Sequence, residues 1–75
     1  EVRERRRMQR ALARLPVAQA RTLSIAFFEG LTYPEIAERE GVPLGTIKSR
    51  AARALSALRA ALAAEGLDEH PYGGG

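Results

Sequence analysis

The sequence predicts a small all-α domain of four helices, and three observations carry the prediction. Apolar residues recur at helical spacing in four separate stretches. The breaks between those stretches fall at Pro16, Gly30 and Gly41, residue types that stop or start helices. No stretch alternates with the period of a strand, and nothing repeats except the terminal glycines. The third and fourth helices, joined by a tight turn, have the form of a helix-turn-helix.

The first helix is expected over 2–14, with Met8, Ala11, Leu12 and Leu15 in one narrow apolar stripe. Arg5, Arg6 and Arg7 surround it and read as a solvated basic face. Pro16 ends this helix and suits the first position of the next. The second helix, about 17–29, turns Ala20, Leu23, Ala26 and Phe27 inward and closes at Gly30. The third begins at a capping box, Thr32 with Glu35, supported by Leu31 and Ile36 as a hydrophobic staple. Pro34 falls in its first turn, Ile36 and Ala37 face inward, and Gly41 ends it. At about two turns it needs tertiary packing to persist.

The fourth helix is expected over 44–64. Ile47, Ala51, Ala54, Leu55, Leu58 and Leu62 form its apolar stripe, and Gly66 is a suitable stop. Ile47, Leu55, Leu23 and Phe27 are expected at the centre of one core. Leu58 and Leu62 have two possible uses, packing on the first helix or offering a surface to a partner. The chain thus divides into a domain over 1–64 and a tail over 65–75 with no periodicity, which includes the lone His70.

Charge is distributed unevenly within a net +3. Residues 1–14 carry six arginines against Glu1 and Glu4, and residues 44–64 carry Lys48, Arg50, Arg53 and Arg59 with no acid. Residues 15–43 are net negative. Positive charge concentrated on one helix is the footprint of a polyanion-binding surface. Stepping about 100° per residue from an inward Ile47 points Gly45, Ser49, Ala52 and Ser56 outward. Lys48 and Arg59 flank that ridge on one side, Thr46 and Arg53 on the other. Small residues let a helix backbone approach a groove, and flanking cations reach phosphates or base edges. Arg50 lies nearer the apolar boundary, where it either touches DNA or pairs with an acid of the second or third helix.

Other classes fare worse. Seventy-five residues leave little room for an enclosed active site. No carboxylate pair, His–Ser set, metal cluster or phosphate loop converges, so neither an enzyme nor a cofactor or metal site is expected. The absence of cysteine fits a cytoplasmic protein, and no apolar run approaches a membrane span. The chain starts within a charged helical pattern and reads as part of a longer protein.

The segment LARLPVAQARTLSIAFFEGLTYPEIAEREGVPLGTIKSRAARALSALR resembles the fourth conserved region of bacterial sigma factors of the extracytoplasmic-function group. The shared features are LxxLP at Leu12, Leu15 and Pro16, the stretch FFEGLTYPEIAE, the turn and helix EGVPLGTIKSR, and the continuation RALSALR. The resemblance implies a domain that reads the −35 element of promoters through the last helix and docks on the β flap of RNA polymerase, with an anti-sigma factor as a further partner. It places Lys48, Ser49, Ala52 and Arg53 at DNA-contacting positions. Thr32, Tyr33 and Glu35 begin the helix that braces on the backbone. Ala52 departs from the family, whose members often carry a larger residue there. A DNA-binding domain of a LuxR-type response regulator is the alternative, since LTYPEIAERE fits it too. A helical adaptor using Leu55, Leu58 and Leu62 is a third reading.

Overall fold

The computed structural model describes residues 2–69, whose regular elements are all helical, with no strand among them. Four α-helices run α1 (Val2–Leu12), α2 (Val17–Ser24), α3 (Tyr33–Glu40) and α4 (Leu44–Glu69). A π-helical turn, Ile25–Glu29, continues α2. Helix α4 is the spine, with α1, α2 and α3 all packed against it.

The local signals act as their chemistry dictates. Thr32 Oγ1 accepts from the Glu35 amide at 3.3 Å, and Glu35 Oε1 accepts from the Thr32 amide at 2.8 Å. This completes the capping box and satisfies two amides that the first turn leaves open. Gly30 and Gly41 close their helices at φ 73° and 70°, where a side chain would be strained.

The core is two clusters rather than one. Ala11, Leu12, Leu15, Leu23, Ala54, Leu58 and Ala61 join α1, α2 and the later half of α4. Ile25, Ile36, Ala37 and Ile47 join the π-helical turn, α3 and the first turns of α4. Leu23 and Ile47, expected side by side, therefore anchor different clusters. Ile25 lies two residues from Leu23, about 200° around the helix, so one strand of helix serves both cores.

Two expected core residues lie outside. Leu55 is 37% exposed and Phe27 48% exposed. Leu55 sits about 80° around α4 from Ile47, at the edge of a stripe centred on Ile47, Ala54 and Leu58. Phe27 falls in the π-helical turn just before Gly30, where its phenyl group faces outward, clear of both clusters. Leu58 is buried and Leu62 half-buried against the first cluster, so packing on α1 accounts for both.

The arginines in and just after α1 do more than face solvent. Arg10 Nε and Arg14 Nη2 grip the buried Glu65 at 2.8 and 3.1 Å. Arg7 Nη2 donates to the Leu62 carbonyl at 3.4 Å, and the Arg5 guanidinium lies 5.4 Å from the Phe28 ring centroid. The contacts to Glu65 and Leu62 explain why α4 continues through Gly66, where the sequence suggests a stop. A helical glycine costs about 1 kcal/mol relative to alanine, and the clamp just before it offsets that cost. The boundary at 64 therefore falls within α4, and residues 65–69 of the expected tail are helical. Glu1 and residues 70–75, with His70, lie outside the described residues.

Candidate nucleic-acid interface

Helix α4 turns one face to the core and the opposite face outward. Ile47, Ala51 and Ala54 are at most 1% exposed and set its rotation. Gly45, Ser49, Ala52 and Ser56 are exposed on the far side, with Lys48, Arg53 and Arg59 exposed at the margins. Thr46 and Arg50 are half-buried. Nothing lies within 4 Å of where a Gly45 side chain would begin, so the ridge is open there.

The electrostatic contrast is between this helix and the rest. Arg10 and Arg14 hold Glu65, Arg39 Nη1 holds Glu29 at 2.7 Å, and Arg21 grips Glu40 with two bonds of 2.8 and 3.1 Å. The hydrogen bond from Arg21 is the main cause holding the Glu40 carboxyl below its usual range, and the same bond raises the Arg21 guanidinium. Glu65 is lowered chiefly by Arg10, and Glu35 by the Thr32 amide. By contrast Lys48, Arg50, Arg53 and Arg59 make no hydrogen bond or ion pair among the described residues. Arg50 adds only the smallest of the charge effects on Glu40, whose oxygens Arg21 already occupies. The pairing once open to Arg50 is therefore not made.

The expected site residues separate into three groups. Thr46, Ser49, Arg50 and Arg53 line one open groove of about 790 Å³, together with Pro16 and with Ala18 and Gln19 of α2. Lys48, Ala52 and Arg59 stand outside it, on the ridge and its other margin. Thr32 and Tyr33 are at the start of α3, where Thr32 is engaged in its cap and Tyr33 packs on the second cluster. Gln19 escapes a sequence reading because it contributes to no apolar stripe. The available signal was a helix start at Pro16 with no Ser, Thr, Asp or Asn to cap it.

An unpaired cationic ridge with a small-residue centre, carried by the second of two helices around a Gly41 turn, is the geometry of a groove-reading helix. The model of the family described as "Sigma-70, region 4" matches residues 5–58. The chain belongs to the sigma-70 region 4 family. The match spans the whole ridge through Ser56 and every groove-lining residue. This region 4 domain is 54% identical over 56 residues to the ECF RNA polymerase sigma factor RpoE of Cereibacter sphaeroides, covering 75% of the chain and 31% of that relative. It is 41% identical over 59 residues to the ECF RNA polymerase sigma factor SigK of Mycolicibacterium vanbaalenii, covering 79% and 30%. It is 43% identical over 56 residues to SigK of Mycobacterium tuberculosis, covering 75% and 30%. The resemblance to the extracytoplasmic-function group is thus borne out, and nothing in these comparisons supports the response-regulator alternative. The chain spans about a third of the length of the curated relatives it matches. No solved structure matches it.

Among the described residues no group of His, Cys, Asp or Glu could hold a metal ion. No described helix is long and apolar enough to cross a membrane.

Proposed function

We propose that this domain binds the −35 element of promoter DNA as the C-terminal domain of an alternative sigma factor, directing RNA polymerase to its start sites in the cytoplasm. One observation carries the reading: all four cations of α4 are without a carboxylate partner, around an exposed ridge of Gly45, Ser49, Ala52 and Ser56. Within the ridge, Arg53 and Ser49 read base edges, while Lys48 and Arg59 on the other margin meet phosphates. Ala52 presents only a methyl, so discrimination at its base pair falls to its neighbours.

The partners follow from the same reading. The domain docks on the polymerase core at the β flap, and an anti-sigma factor competes for its non-DNA faces. The half-exposed Phe27 and Phe28 supply apolar surface for docking at the end of the second helix away from Pro16. Leu58 and Leu62 are withdrawn as a docking surface because the first cluster engages them. With one reading helix, the separate domain binds weakly and with strong salt dependence. Attachment to polymerase raises its effective concentration at the promoter.

Titration of Arg53→Ala and Lys48→Ala against point-mutated −35 duplexes tests the placement. Loss of preference at one base pair for Arg53→Ala, and a uniform loss for Lys48→Ala, support it. Unchanged affinity in both variants, or equal affinity of the parent for −35 and scrambled duplexes, refutes it.

A further inference from the structure

We propose that Arg21 is a positioning residue for DNA binding: it holds Glu40 in a two-bond grip and so keeps that carboxylate from pairing with Arg50 on α4. This rests on the promoter-binding reading and deepens it, since it names a residue outside the ridge that sets how much positive charge α4 has free.

The argument starts from where a quenching carboxylate could come from. Helix α4 has no acid before Glu65. An acid that reaches its first turns therefore comes from the elements packed against them. Residues 15–43 contain Glu29, Glu35, Glu38 and Glu40. Glu29 is held by Arg39 at 2.7 Å, Glu35 is bound to the Thr32 amide, and Glu38 is exposed. Glu40 is different. It ends α3 at the Gly41 turn that leads into α4, and its side chain is mostly buried. Arg21, Arg39 and Arg50 are all close enough for their charges to act on it.

Only Arg21 bonds it. Nε donates to one carboxylate oxygen at 2.8 Å and Nη2 to the other at 3.1 Å, so the guanidinium fork covers both. Arg39 is turned to Glu29. Arg50 is half-buried and has no carboxylate partner among the described residues. A partly buried guanidinium gains by pairing, because leaving its charge unmatched is costly. Arg50 therefore takes Glu40 once Arg21 lets go.

The fold has little use for the Arg21 grip. The Arg21 side chain is 63% exposed and belongs to neither core cluster. An exposed pair of this kind contributes little to stability. Its main consequence is which cation it leaves free, and that cation is on the helix that reads DNA.

Binding of the chain to a −35 duplex is followed by fluorescence anisotropy for Arg21→Ala, Glu40→Gln and the double variant. Arg21→Ala should weaken binding about fivefold, the upper end of what a partly exposed ion pair contributes, because DNA then has to displace Glu40 from Arg50. Glu40→Gln should bind at least as tightly as the parent, and adding it to Arg21→Ala should restore parent affinity. Adding Glu38→Gln to Arg21→Ala instead returns the net charge to +3 but leaves the competing carboxylate in place, so affinity should stay low. A purely structural pair behaves otherwise, since loss of either partner then acts alike on melting and on binding. Circular dichroism melts show whether each variant is folded, and Arg21→Gln serves if Arg21→Ala is not. The proposal is overturned if Arg21→Ala binds as the parent does, or if Arg21→Ala and Glu40→Gln weaken binding alike. It is also overturned if Glu38→Gln restores binding as fully as Glu40→Gln. Failure of the parent to prefer −35 over scrambled DNA would instead sink the promoter reading beneath it.

Discussion

Ile47→Ala separates the two roles of α4 most sharply. Ile47 is fully buried, at 0% exposure, and joins α4 to Ile25, Ile36 and Ala37. Truncating such a residue removes three methyl or methylene carbons and leaves a cavity, at a cost of about 2–5 kcal/mol. The surrounding cluster is small, and Ala37 cannot move into the space while its helix is held by the Thr32–Glu35 cap and Gly41, so the upper half of that range is expected. A domain of this size is stable by roughly 4–11 kcal/mol in all. The loss therefore takes a large share, and a melting temperature lower by roughly 14–40 °C follows. Leu55→Ala is the matched control. Leu55 belongs to the same helix but is 37% exposed and in neither cluster, so its loss should stay below about 1 kcal/mol. Thermal melts followed at the helical circular dichroism band read both. Coincident melts of the two variants, or a larger shift for Leu55→Ala, would refute the two-cluster core.

Four further outcomes are expected. Thr32→Ala should cost roughly 0.5–2 kcal/mol in denaturant unfolding, and the Glu35 carboxyl should rise only part-way toward its usual value in an NMR titration, because the residue 32 amide, the main cause of its lowering, remains. Glu40 and Glu65 titrate below the ordinary value of 4.5, so each stabilises the fold above that pH and loses its contribution as pH falls through its lowered folded value. Melting temperature should thus drop below about pH 5, and Glu65→Gln should melt lower at neutral pH with a shallower acid limb. Gly45→Ala has space for its methyl, so the fold should be unharmed or slightly firmer, by up to about 1 kcal/mol. DNA affinity should nevertheless fall because the methyl stands on the ridge, and unchanged affinity would show that the backbone does not approach DNA there. Leu58→Asp should unfold the domain, as a charge in the first cluster has no partner; a folded, normally melting variant would contradict the assignment of Leu58 to the core.

The sequence by itself determined what depends on neighbours along the chain. Thr32 and Glu35 are three residues apart, so their cap needs nothing distant, and the glycine stops at Gly30 and Gly41 follow from backbone freedom alone. The outward ridge of α4 was equally legible, because one regular helix with a well-marked apolar stripe fixes the opposite face by geometry. So was the family, since its motifs are local strings in a set order. Tertiary structure decided whatever depends on which element lies across the gap. A regular helical period could not show that Phe27 lies outside both clusters, or that Ile25 meets α3 while Leu23 meets α1. Nor could it show that Glu65 would be claimed by Arg10 and Arg14, more than fifty positions away, and hold α4 helical through Gly66. The groove belongs to the same class. Gln19 and Arg50 share no pattern in the chain, and only the packing of α2 on α4 makes them face one space. Side-chain period fixes direction within an element, whereas pairing between elements is set by burial and charge summed over the whole domain.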